Sequence, residues 1–96
     1  MAIQSFGDRA TSTFFLTGVP DHKAGWISMI PTVKRKLDMV HYAARLDDLK
    51  APPGNRLEAL RGRLAGHHSI RVNDQWRIVF RWTAAGPADV RIVDYH

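Results

Sequence analysis

Residues 69–82, SIRVNDQWRIVFRW, change side-chain character at every second position. Ile70 and Val72 share one parity, and Trp76, Ile78, Phe80 and Trp82 share one after the break. Arg71, Arg77 and Arg81 fall on the alternate positions. Only an extended strand sends successive side chains to opposite faces, so this stretch predicts a hairpin. A loop at Asn73–Gln75 sets Val72 opposite Trp76 and Arg71 opposite Arg77, giving one apolar face and one arginine face. The apolar face needs a second layer to cover it.

Upstream the period is helical. Starting near Pro31, which a first helical turn tolerates because its missing N–H has no partner there, Val33, Leu37, Val40 and Ala44 line one face. Lys34, Arg35, Lys36 and Asp38 take the others. KAPPGNR, residues 50–56, stops this helix with two prolines and a glycine, and LEALRGRLAGHH continues as a long, basic, exposed connection. Before it, DRATSTFFLTG at 8–18 predicts a shorter helix from an Asp8 cap to Gly18, and AIQSF at 2–6 a first strand. After the hairpin, TAAGPAD turns the chain at Gly86 and Pro87 into a last strand, VRIVDY. Either Val90 and Ile92 or Val93 and Tyr95 point inward there, and a bulge near the strand's end reconciles them. The expectation is an α+β fold of order β-α-α-β-β-β, with the helices on one face of a small antiparallel sheet. Residues 1–96 form one domain.

Charge narrows the ligand class. Fourteen Lys and Arg oppose nine Asp and Glu, and the excess is carried mainly by arginine, whose planar fork suits phosphate. Arg71, Arg77 and Arg81 on the sheet, with Arg56, Arg61 and Arg63 in the preceding connection, form either a polyphosphate cradle or a solvated charged face. The absence of cysteine fits a reducing compartment. With neither an export leader nor a membrane-length apolar run, the expected location is the cytoplasm, away from membrane.

The chain closes on Asp94, Tyr95 and His96, which is either a frayed strand end or a site. His96 is the candidate acid or base, because imidazole exchanges protons near neutrality. Tyr95 could pack in the core, orient a base or bond phosphate, and Asp94 could end the strand or hold Tyr95 or His96. His67 and His68 fit a loop, and His22 and His41 the surface. The histidines lack metal-ligand spacing, so neither a metal nor another cofactor is expected. Phosphate-binding glycine loops, nucleophile elbows and cysteine nucleophiles are all missing, and Glu58 is the single glutamate. What remains is phosphate chemistry on RNA, which carries its own 2′-hydroxyl nucleophile.

PPGNRLEALRG, SIRVNDQWRIVFRW, the closing IVDYH and an early IQSF together resemble the HigB-like toxins of the RelE/ParE superfamily, the toxic halves of bacterial toxin–antitoxin modules. The resemblance implies a RelE-like fold and a ribosome-dependent endoribonuclease that cuts mRNA in the ribosomal A site. It implies that Asp94, Tyr95 and His96 help form the active site, that Arg77 binds the scissile phosphate and that Arg61 contacts phosphate or ribosomal RNA. Some relatives place a histidine just before that basic residue, where this chain has Glu58, so either Glu58 takes over the base role, or His96 works with fewer partners, or activity is attenuated. The family also implies a helix-turn-helix, HigA-like antitoxin, which blocks the toxin and, in complex with it, binds operator DNA.

Two other classes compete with this one. A ParE-type toxin would poison gyrase without cutting RNA and would not need the Arg77, Tyr95 and His96 cluster. A non-catalytic RNA-binding module would need exposed aromatics for stacking, whereas Trp76, Ile78, Phe80 and Trp82 share the parity of a core.

Overall fold

The computed structural model describes residues 2–94. Its antiparallel sheet is built in chain order from β1 (Glu58–Ala59), β2 (His67–Arg71), β3 (Trp76–Thr83) and β4 (Gly86–Asp94). The β2–β3 hairpin has the expected register, with Ile70 opposite Ile78 and Arg71 opposite Arg77. Its loop is closed by Asn73, whose side-chain oxygen accepts from the amides of Gln75 and Trp76 at 2.9 and 2.8 Å. That local bond offers the backbone an alternative to the ladder, which is why asparagine favours such turns.

Helices α1 (Arg9–Thr17) and α2 (Ile30–Tyr42) cover one sheet face. Asp8 caps α1 by accepting from the Thr11 amide at 2.8 Å, and Gly18 ends it in the left-handed region at φ 76°. Pro31 sits in the first turn of α2. Val33, Leu37 and Val40 from α2 meet Phe14, Ile70, Ile78, Phe80, Val90 and Ile92 in one core. Burying an aliphatic side chain of this kind stabilises by about 1.5–3 kcal/mol.

The expected helix boundary is corrected. α2 stops at Tyr42, well before the prolines, because Ala43 turns extended and the Asp48 carboxylate takes the amides of Ala44 and Arg45 at 2.9 and 3.0 Å. Ala44 is consequently exposed and Ala43 buried. Lys36, expected on the outer face, is buried. The long connection is also more ordered than expected, since Glu58 and Ala59 pair with Ser69 and His68 to form the sheet's edge strand.

Residues 2–6 form no strand of their own. They lie beside β4 through one parallel bridge, Phe6 to Val90, with Gln4 donating to the Pro87 carbonyl and Gly7 to that of Val90 at 2.7 and 2.8 Å. The β3–β4 register shifts between Val79 and Arg81, and Asp89 takes φ 53° in the facing strand, so the irregularity lies early in β4 and not near its end. Val90 and Ile92 point into the core. Gly86 and Pro87 belong to β4, and the turn is narrowed to Ala84 and Ala85. No helix among the described residues is long and apolar enough to cross a membrane.

Candidate active site

The sheet face turned away from the helices carries the arginines, but unequally. Cross-strand rows place Glu58, Ser69, Val79 and Arg91 side by side, and Arg71, Arg77 and Val93 in the next row. Arg77 is buried. Its Nε donates to Ser69 Oγ at 2.8 Å, its Nη2 donates to the Arg56 backbone carbonyl at 2.7 Å, and Nη2 lies 3.6 Å from Glu58 Oε1. A buried guanidinium held on several sides loses little freedom when it meets an anion, which is the condition for stabilising charge that develops on a phosphate.

The other cations are arranged differently. Arg71 pairs with Asp74 in the hairpin turn, and Arg81 with Asp89 at 3.1 Å. The side chains of Arg56, Arg61 and Arg63 are exposed. Glu58, Ala59, Leu60 and Arg61 line a surface cleft of about 600 Å³ beside Arg77's partner Glu58. The structure therefore sets Glu58 against Arg77 and puts Glu58 and Arg61 on the lining of that cleft, while Arg71 and Arg81 are each paired to an aspartate.

Asp94 ends β4 opposite Trp76, on the parity of Ile92, and accepts from Gln75 Nε2 at 3.0 Å. It thus lies on the opposite parity from Arg77, whose partner on β4 is Val93. Tyr95 and His96 lie outside the described residues. Two of the histidine expectations are corrected: His67 and His68 belong to β2, with His68 stacked on Phe80 at 6.4 Å, and His41 is half-buried against Phe15 and accepts the Ile3 amide at 3.2 Å. Among the described residues no group of three or more His, Cys, Asp or Glu side chains comes together to hold a metal. Phe80 is buried and Trp76 and Trp82 are half-buried, which makes a poor platform for stacked bases.

Several residues of the site went unnoticed in the sequence. Ser69 is one, although the hairpin register alone puts it diagonal to Arg77. Arg91 is another, on the outer face beside Val79. Lys36 and Asn55 are the third case. Lys36 donates to Asn55 Oδ1, and Asn55 Nδ2 lies 3.3 and 3.2 Å from the carbonyls of Leu49 and Ala51. Burial, followed by the charges of Arg35 and Arg71, holds the Lys36 ammonium below the usual lysine range. Its spacing from Val33 and Val40 puts it on the buried helical face, a signal the lysine's charge obscured.

Comparison with known proteins agrees with this architecture. The chain is 52% identical over 48 residues to Toxin HigB-1 of Vibrio cholerae, covering 50% of each protein. It is 36% identical over 55 residues to an uncharacterized protein of Haemophilus influenzae, covering 57% of this chain and 54% of that one. These matches span about half the length of the curated relatives. A YoeB/ParE toxin from Agrobacterium tumefaciens superposes over the whole of both chains with a TM-score of 0.55 at 15% identity, a likeness of fold alone. The family model of RelE-like toxins of the type II toxin–antitoxin system HigB matches residues 4–96, and the chain belongs to that family of HigB-like toxins.

Proposed function

We propose that this chain is an mRNA endoribonuclease that acts on the translating ribosome, cleaving the message in the A site and so inhibiting translation. The observation that carries the proposal is the Arg77 guanidinium, buried and fixed by Ser69 and Arg56 on the outer sheet face, in a member of a toxin family. In the proposed reaction the RNA 2′-hydroxyl gives up its proton to a base and attacks the adjacent phosphorus. The bond to the 5′-oxygen breaks, that oxygen takes a proton, and a 2′,3′-cyclic phosphate remains. Arg77 stabilises the negative charge on the phosphoryl oxygens.

His96 exchanges the protons and Tyr95 orients the reacting groups, with Glu58 as the alternative base. Asp94 anchors the strand end from which those two residues follow in sequence. Arg61, Arg63 and Arg56 meet the RNA or ribosomal backbone, and Arg71 and Arg81 add long-range attraction that falls with salt. The chemistry so written needs neither metal nor cofactor. The partner proposed to restrain it is a HigA-like helix-turn-helix antitoxin, with operator DNA reached only through their complex, and the proposed compartment is the cytoplasm.

The test is cleavage of a defined message on programmed ribosomes by the purified chain, with fragment ends analysed chemically. A-site fragments with 2′,3′-cyclic phosphate ends that disappear in His96→Ala are expected. Inhibition of purified gyrase with an intact message would instead identify a ParE-type activity.

A further inference from the structure

Arg77 owes one of its bonds to a backbone atom, and the position of that atom has its own cause. Arg56 adopts φ 46° and ψ 54°, a left-handed conformation that a residue with a Cβ seldom takes. It is this turn that delivers its carbonyl to Arg77 Nη2 at 2.7 Å. Something must hold the chain there. The residue before it, Asn55, is fully buried, and each part of its amide is engaged. Its Oδ1 accepts from Lys36 on α2, while its Nδ2 faces the Leu49 and Ala51 carbonyls and the Met39 sulfur at 3.3, 3.2 and 3.7 Å.

We propose that Lys36 and Asn55 are positioning residues of the site: they clamp residues 49–56 onto α2, so that the Arg56 carbonyl fixes the plane of the Arg77 guanidinium. The inference rests on the nuclease reading for its catalytic consequence, but not for its structural one. A lysine on a helix face otherwise packed with Val33, Leu37 and Val40, and an asparagine buried against it from residues 53–55, add little hydrophobic stabilisation. Their geometry makes sense if what they secure is a backbone position and not the core. Neither side chain touches the RNA in this arrangement, so their effect passes through Arg56 to Arg77.

The experiment compares Lys36→Met and Asn55→Ala with Val33→Ala, a truncation on the same helix that leaves every polar contact in place. Exchange of the Arg77 Nε proton with water is read by NMR on labelled protein under conditions where each variant is folded. Both polar variants are expected to speed that exchange by about tenfold or more, with Val33→Ala within about twofold of the parent. In the ribosome assay, kcat should fall about tenfold in the polar variants with KM unchanged, as expected when orientation and not binding is lost. Should Asn55→Ala not fold, Lys36→Met, which keeps the aliphatic stem, decides the matter. Unchanged Arg77 exchange in the polar variants, or an equal rise in Val33→Ala, would overturn the proposal. If the parent chain cleaves nothing, the nuclease reading fails, and the proton exchange still decides whether Lys36 and Asn55 fix Arg77.

Discussion

The guanidinium of Arg77 and the carboxylate of Glu58 lie 3.6 Å apart across a step in exposure, the first side chain 9% accessible and the second 45%. The cation is therefore fixed, while the anion reaches solvent and can yield its place to a substrate phosphate. Glu58→Gln keeps the shape and removes the charge. With His96 as the proton-exchanging group, this variant should cleave within about tenfold of the parent, whereas removing a general base costs about 10²–10⁴-fold. Single-turnover cleavage separates the two outcomes, and a loss in the larger range would transfer the base role to Glu58.

Arg77→Lys is the more telling change at the neighbouring position. An ammonium is a point charge and cannot reproduce a planar fork that spans Ser69 Oγ and the Arg56 carbonyl. Cleavage should fall about 10²–10³-fold, as when one oxyanion donor is lost. Urea unfolding should show a cost of about 1–3 kcal/mol for the buried acceptors left without a partner. Activity near that of the parent would remove Arg77 from the catalytic set.

Gly25 sits against the Trp76 indole so closely that a Cβ placed there would come 2.4 Å from ring carbon Cζ2. Its backbone is not among the positive-φ glycines. An alanine there would ordinarily stabilise by about 0.4–1 kcal/mol through the unfolded chain. Overpacking against the indole should reverse that sign, costing about 1–3 kcal/mol. Thermal unfolding of Gly25→Ala should show a Tm lower by at least about 4 °C, and a higher Tm would show that the indole moves aside freely.

Lys36 makes stability depend on alkaline pH. Its folded-state pKa lies below the ordinary lysine value of 10.5, chiefly through burial. Between the folded value and 10.5 the unfolded chain therefore binds more protons than the folded one, and stability attributable to this group rises with pH. Below the folded value the penalty is constant. The difference in urea midpoint between the parent and Lys36→Met should accordingly shift in the parent's favour as pH climbs toward 10.5. A difference that stays flat, or moves the other way, contradicts the assignment.

Thr11 is fully buried in α1, and its hydroxyl accepts the Ile92 amide at 3.2 Å. Thr11→Val conserves shape but leaves that amide buried without an acceptor. A cost of about 1–3 kcal/mol is expected, with faster hydrogen exchange at Ile92 as the local sign.

The hairpin was legible because three independent signals coincide in it: the period of two, the Asn73 turn and the matching parity of Arg71 and Arg77. Asp8 and Gly18 were legible for the same reason, each having a conformational task few residues perform. β1 was not, because Glu58 and Ala59 have no pattern of their own and become a strand only through the edge of β2. The depth of Arg77 was equally hidden, since parity gives a side chain's face and not what else reaches that face. Here the Arg56 carbonyl comes from 21 positions away in sequence. The face that Asp94 takes, the parity of Ile92, was hidden as well, because it turns on the β4 register near Asp89.

The cover over β4 has one more consequence. An open strand border is a template on which another chain can add. Along β4 the positions at Pro87 and Val90 are engaged by Gln4, Ser5 and Gly7, and that at Ile92 by the Thr11 hydroxyl. The opposite border is only Glu58–Ala59, too short for a lasting cross-chain ladder. The covered strand thus disfavours the fibril-like stacking of identical copies that crowding at high expression would promote.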